Sequence, residues 1–285
     1  MFYTIDQMCA MQGRVGRSFI GTIDEDQIPR ITIISSLALW DDKTLVFGDV
    51  IKGISKVNFK KRPTTFTAII NNELTTVYAT WQSEAIAGEK FELMNNLRTV
   101  RYNPTGGFAR IHSFKLEKYV CNGWPLDEQE QKRSKEETCQ LASKIKCDSD
   151  AVALNVFAYR IATSEHSVKM LCYINEEGYP IVIPTSQALP ISKNKIVFRT
   201  TPLNDDFKKL APGTKIAMMF SDIKKERGTI LVQGVYSSEY VDGLEMGILN
   251  IEKVYCSSGP TPQYIYPREP LKPQVVFGGI SDINI

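Results

Sequence analysis

The sequence predicts a mainly β chain with a few helices, an α+β protein built from two copies of one unit. Two observations carry this expectation. Residues 114–125 return as residues 249–260, with Glu117, Lys118, Cys121 and Pro125 answered by Glu252, Lys253, Cys256 and Pro260 at one offset. Further matches run in the same order: residues 23–29 with 174–180, 45–47 with 196–198, and 63–68 with 212–217. A repeat of this length exceeds a solenoid unit and equals a small domain. The second observation is a succession of short β-rich runs separated by polar turns. The expected organisation is a first repeat over residues 1–126, a helical linker over 127–150, a second repeat over 151–258 and a packed proline-rich tail over 259–285.

Within the first repeat, residues 17–23 and 29–36 read as strands around the polar turn at Asp24, Glu25 and Asp26. Asp41 and Asp42 form the next turn, before a strand at 44–47. Residues 53–61 suit a short amphipathic helix with Ile54 and Val57 on one face and Lys56 and Lys60 on another, stopped by Pro63. Strands follow at 65–70, 75–81 and 108–120. Between the last two, Phe91, Met94, Leu97 and Val100 fall at helical spacing, which reads as core packing. The second repeat has no such insertion. Residues 127–146 are charged and free of Pro and Gly, so they read as a linker helix with a solvated face, followed by a cap at residues 148–150. Strands at 169–174, 180–183, 195–198, 215–220, 229–236 and 247–255 repeat the meander. The tail carries five prolines but also Tyr264, Ile265 and Tyr266, too apolar for a free segment.

The composition narrows the function classes. The 285 residues are 43% hydrophobic and 23% charged, with a formal net charge of +2. That balance argues against bulk capture of nucleic acid or an anionic membrane. No apolar run is long enough to span a bilayer, and the first residues lack the basic and apolar regions of a signal peptide. Six dispersed cysteines with no Cys-x-x-Cys pair, and only His112 and His166, point to reduced thiols in a cytoplasmic protein with no metal site. Cys121 and Cys256, which recur, read as small buried hydrophobes. No catalytic set emerges from the spacing, and His112 reads as a structural hydrogen-bonding residue.

Residues 18–24, 29–35, 45–49 and 55–63 carry a resemblance. Their order, with a helix after the third strand and a proline after the helix, resembles the split β-barrel of the pyridoxamine 5'-phosphate oxidase-like, FMN-binding superfamily. The resemblance covers nearly all of both repeats. It implies two split-barrel domains forming a pseudo-dimer within one chain, because members of that family pair as homodimers around FMN. It implies a monomeric pseudo-dimer or a homodimer, and an oxidoreductase acting on a small molecule. Pyridoxamine phosphate oxidation itself is not expected, since that enzyme's C-terminal Arg and His find no match. The other readings are a non-catalytic flavin, deazaflavin or haem-binding module, and a scaffold that has lost its cofactor.

The resemblance also nominates a flavin site in the first repeat. Arg30, Ser35 and Ser36 line the second strand of the groove. Lys52, Gly53, Ser55 and Lys56 form a phosphate loop leading into the helix, and Asn58 matches a family asparagine. Asp49 stands against this reading, because a carboxylate beside a phosphate is repulsive. The matching loop of the second repeat, residues 199–212, holds Asp205, Asp206 and Pro202. One phosphate site is therefore expected, with the second repeat supplying the opposing wall.

Overall fold

The computed structural model describes residues 18–34, 36–49, 54–70, 73–101, 107–123, 128–146, 151–200, 205–208, 210–222, 224, 228–258 and 262–268. The first copy runs β1 (Ser18–Ile23), β2 (Pro29–Ile34), β3 (Ala38–Asp41), β4 (Thr44–Asp49), α1 (Ser55–Phe59), β5 (Thr64–Ile70), β6 (Glu73–Ala85), α2 (Glu89–Asn96), α3 (Arg98–Arg101) and β7 (Arg110–Gly123). After α4 (Glu128–Ala142), the second copy runs α5 (Val156–Thr163), β8 (Val168–Ile174), β9 (Pro180–Pro184), β10 (Leu189–Pro190), β11 (Lys195–Arg199), α6 (Asp205–Lys208), β12 (Lys215–Asp222), β13 (Gly228–Val241) and β14 (Leu244–Cys256). A last strand, β15 (Gln263–Tyr266), pairs with β14.

The two sheets share one topology. The first has the order β2, β1, β5, β6, β7, β4, β3, and the second the order β9, β8, β12, β13, β14, β11, β10. Strand for strand these are the same path, antiparallel at each step. The recurring Glu-Lys now has a structural meaning. Glu117 bulges from β7 opposite the step between Tyr78 and Ala79, and Glu252 bulges from β14 opposite the step between Gln233 and Gly234. A bulge bends and twists its strand, so the repeated dipeptide marks the bend of each barrel.

Pairing corrects one of the sequence matches. Gly21 faces Thr65 across β1 and β5, and its counterpart Cys172 faces Ala217 across β8 and β12. Thr65, not Ala68, is therefore the partner of Ala217. Pro63 abuts its strand, whereas Pro212 stands in a turn three residues ahead of Lys215, so aligning the prolines slips the register.

Several elements were not foreseen. The edge strands β3 and β10 are too short to alternate. Helix α5 is apolar on most sides, so it shows no stripe; the Asn155 side chain caps it by accepting from the Ala158 N–H at 2.8 Å. Helix α1 turns the opposite way from expectation. Ile54 and Val57 are exposed, while Asn58 and Phe59 are buried, because the Phe59 ring packs edge-on against Phe47 and Phe114 at 5.7 and 5.1 Å. Cys121 is exposed, against expectation, while Cys256 is buried. The expected cap at residues 148–150 and the tail beyond residue 268 lie outside the described residues.

The insertion helices pack as expected: Met94, Leu97 and Val100 meet Val46 and Ile111. The second copy was expected to lack this cover, yet α4 supplies it. Leu141, Ala142 and Ile145 pack on Val197, Met246 and Ile248, the counterparts of the strand positions under α2 and α3. The linker helix thus has one buried face and one solvated face.

The copies meet through β1, β2 and β5 of the first and β8, β9, β12 and β13 of the second. Phe19, Ile31, Met170, Cys172, Val182, Met219 and Leu231 form a core shared by both. At its centre a Cβ on Gly21 would lie 2.8 Å from the Pro180 carbonyl oxygen and 2.9 Å from Val182. Backbone cannot yield there cheaply, so Gly21→Ala is expected to cost about 1–3 kcal/mol. Urea denaturation measures this, and both copies should lose stability in a single transition.

Candidate functional site

The groove between the copies opens into a cavity of about 390 Å³, within the range of roughly 300–1,000 Å³ usual for cofactor sites. The first copy supplies β2, Ser36 ahead of β3, the end of β4, and α1. The second copy supplies Met219, Leu231 and Tyr255, together with Ser257 and Ser258 and the approach to β15. The walls are mainly apolar, from Ile20, Ile33, Phe47, Phe59 and Phe108. The polar groups cluster at two poles.

Arg30 forms the first pole. It lies at the start of β2 and is only 3% exposed. Its Nη1 donates to the Tyr264 hydroxyl at 2.6 Å and approaches the Gln233 Oε1 at 3.5 Å. The Tyr264 hydroxyl donates in turn to Gln233 Oε1 at 3.4 Å, and Gln233 Nε2 donates to the Pro29 carbonyl at 3.0 Å. The guanidinium also stands 5.1 Å from the Tyr255 ring centre and 5.7 Å from that of Tyr264. Burial pushes the Tyr255 phenol up, against the pull of Arg30, so it stays neutral. Among the described residues no carboxylate pairs with Arg30. A buried cation without a counter-ion is a costly arrangement unless a ligand completes it.

The second pole lies at α1. The Ser36 hydroxyl donates to the Gly48 carbonyl at 2.9 Å and accepts from the Gly48 N–H at 3.1 Å, tying the segment ahead of β3 to the end of β4. The Thr32 and Ser55 hydroxyls are 2.7 Å apart, tying β2 to the helix. Lys56 forms an ion pair with Asp49. The expected free lysine is therefore neutralised, and the uncompensated charge of the described cavity is Arg30. Asn58 is buried but does not line the cavity, and its Nδ2 has no partner. Ser35, Lys52 and Gly53 lie outside the described residues.

His112 sits behind this pole. It is 1% exposed, wedged against Phe47 at 5.3 Å and Phe59 at 5.0 Å. Its Nε2 is 3.6 Å from Asp49 and its Nδ1 is 3.8 Å from Glu84, both beyond hydrogen-bond length. Among the described residues neither nitrogen has a partner within hydrogen-bond length, so the expected structural hydrogen bond is at most a long contact with Asp49. Burial lowers its pKa below the ordinary value, outweighing both carboxylates, and the ring is neutral at pH 7.

Sequence reading found Arg30, Ser36, Ser55 and Lys56, all of which line the cavity. It missed Tyr255, Tyr264 and Gln233. These stand more than 200 residues from Arg30, and only the duplication hinted that the copies would face each other.

Among the described residues, the second copy shows no equivalent groove chemistry. Ile181 takes the place of Arg30 and Ile183 that of Thr32, and both are buried in an apolar cluster with Tyr173 and Phe207. Arg199 takes the place of Gly48 and pairs with Glu137 of α4. Nearby, Lys169 is buried and donates to the Ala188 carbonyl at 2.6 Å; burial lowers its pKa to about 8. Below that pH the charged form is buried at a cost, and the cost fades as pH rises towards the unfolded value of about 10.4. Lys169→Met is therefore expected to raise stability at pH 7 by about 2 kcal/mol. Denaturation curves at pH 7 and pH 10 check this, since the gain should shrink at the higher pH.

No family model and no curated protein matches the chain. Solved structures similar to it include HupZ of Group A Streptococcus, at 17% identity and a TM-score of 0.34, over 41% of this chain and 93% of that one. An FMN-binding protein from Syntrophomonas wolfei is 16% identical with a TM-score of 0.35, over 41% and 88%. A NimC/NimA family protein from Clostridium acetobutylicum is 11% identical with a TM-score of 0.30, over 43% and 87%. The strand order and the paired bulges make the fold a tandem split β-barrel, two barrels joined as a pseudo-dimer within the chain. No helix among the described residues is long and apolar enough to cross a membrane.

Proposed function

We propose that the chain binds one FMN in the groove between its copies and acts as a flavin-dependent oxidoreductase on a small molecule. The observation that carries this reading is the buried Arg30, with no carboxylate partner among the described residues, at one end of a mainly apolar cavity. A flat apolar ring system with an electron-rich edge and an anionic tail answers that arrangement better than a neutral apolar ligand. Arg30 would hold the pyrimidine edge of the isoalloxazine, where negative charge gathers on reduction. Ser36, Ser55 and Lys56 would hold the phosphate. The apolar walls exclude water from the ring.

When bound, FMN supplies the electron-transfer chemistry, and the protein supplies position and charge. The chain has no Gly-x-Gly-x-x-Gly fingerprint, so a nicotinamide donor would have to enter the same groove. Haem fits less well. It needs an axial ligand; His112 is sealed behind Phe47 and Phe59, and among the described lining residues the candidates are Met219 and Tyr255, whose ring is engaged with Arg30 and Tyr264.

Titration with FMN, followed by quenching of flavin fluorescence, tests the reading. Saturable binding is expected. Arg30→Met should weaken it about tenfold to a hundredfold through loss of a charged hydrogen bond. A protein that takes up no FMN, or an Arg30→Met variant that binds as tightly as the wild type, would contradict the assignment.

A further inference from the structure

We infer that the phosphate pole is proton-linked: a ligand phosphate at Lys56 draws a proton onto His112, whose imidazolium then takes over Asp49. The inference rests on the FMN reading above and concerns how that site is controlled.

The geometry begins with a shared carboxylate. Asp49 lines the cavity and is 5% exposed. Its Oδ2 faces the Lys56 ammonium on the cavity side and the His112 Nε2, at 3.6 Å, on the core side. One anion thus stands between a lysine that can turn to a ligand and an imidazole that can accept a proton. While Lys56 holds Asp49, the local charge is balanced and His112 has no reason to be charged. Two further observations point to the imidazole as the responsive group. It is almost wholly buried, and among the described residues neither nitrogen has a partner within hydrogen-bond length, with Asp49 just beyond it at 3.6 Å. Buried polar atoms in this condition call for an explanation. A ring that gains its hydrogen bond only in the liganded state provides one.

A phosphate brought to Lys56 places two anions beside each other, the ligand and Asp49. Repulsion between them favours protonation nearby. His112 is placed to take the proton. In the step, one proton comes from solvent to Nε2, the neutral ring becomes imidazolium, and its new N–H donates to Asp49. No bond to the ligand forms or breaks.

The charged groups around His112 support this assignment. Glu84, 3.8 Å from Nδ1, comes from β6 and stabilises a positive ring. Lys60 of α1 and Arg110 of β7 oppose it, but both are paired with Glu84 at 2.6 and 2.8 Å. Among the described residues Lys56 is the remaining cation, and it is the one the ligand draws away. Lys90 of α2 turns to Ser113 at 3.4 Å and to the Trp40 ring.

The sign follows from linkage. In the free protein the His112 pKa lies below its ordinary value. In the complex it rises, so binding takes up a proton and affinity increases as pH falls between the two values. One linked proton changes Kd by at most about tenfold per pH unit. The ligand phosphate titrates with a pKa near 6 and contributes its own slope. The His112 share is therefore the difference between wild type and a variant.

The experiment measures FMN and riboflavin binding to the full chain between pH 5.5 and 8.5. Calorimetry in buffers of different ionisation enthalpy counts the protons. Wild type is expected to take up close to one proton with FMN at pH 7, and none with riboflavin, which lacks the phosphate. His112→Gln and Asp49→Asn should each still bind FMN, with the uptake abolished and the pH slope reduced to that of the phosphate. Wild-type uptake is measured without any variant, so a misfolded variant does not remove the test. FMN binding with no proton uptake, or with equal uptake in His112→Gln, overturns the inference and leaves the FMN reading standing. Absence of FMN binding in the wild type overturns both.

Discussion

The Arg30 guanidinium is enclosed at the junction of the two copies by Tyr255, Tyr264 and Gln233, and among the described residues no carboxylate pairs with it. Much of the molecule is arranged around that fact. Arg30 comes from β2 of the first copy, while its three neighbours come from β13, β14 and β15 of the second. The pole therefore exists only when the copies are docked. Docking in turn depends on the shared apolar core around Phe19, Ile31, Met219 and Leu231, and on the bare backbone of Gly21 that lets β1 approach β9. Packing brings the pieces together, and electrostatics then leaves one cation looking for an anion.

The same topology built twice has diverged between the copies, and among the described residues the buried arginine stands in the first groove alone. At the position of Arg30 the second copy places Ile181, and the neighbourhood closes into a cluster with Tyr78, Tyr173 and Phe207. Where the first copy has Gly48, the second has Arg199, and the linker helix answers it with Glu137. A duplicated unit needs its framework in both places, and the repeated bulges and strand order supply it. It needs its ligand chemistry in only one. The linker helix also takes over the role of the inserted helices of the first copy, covering Val197 and Ile248 as α2 and α3 cover Val46. An insertion in one copy and a linker in the other solve the same problem of an exposed sheet face.

Most of the framework was legible in the chain. The strands rich in Ile, Val and Phe, the polar turns and the helix after β4 all stood out by pattern. So did the repeat, apart from the three-residue slip at Pro63, where similar prolines occupy different places relative to the strand. Short edge strands and the short, largely apolar α5 carried too little periodicity to be seen. The site was half legible. Arg30, Ser36, Ser55 and Lys56 were found by position, but their charges could not be balanced from sequence. Asp49 was read as a repulsive neighbour of the ligand, whereas it is the partner of Lys56 and the near neighbour of His112. Ionic pairing is a property of distances across strands, and pairing between β4, β7 and α1 appears only in the folded chain.

The central claim is that this asymmetric pseudo-dimer holds one flavin per chain. The binding stoichiometry tests it most directly. Calorimetric titration of the purified chain with FMN should give one site per 285-residue chain. Two equivalent sites would contradict the asymmetry, and no site would contradict the flavin.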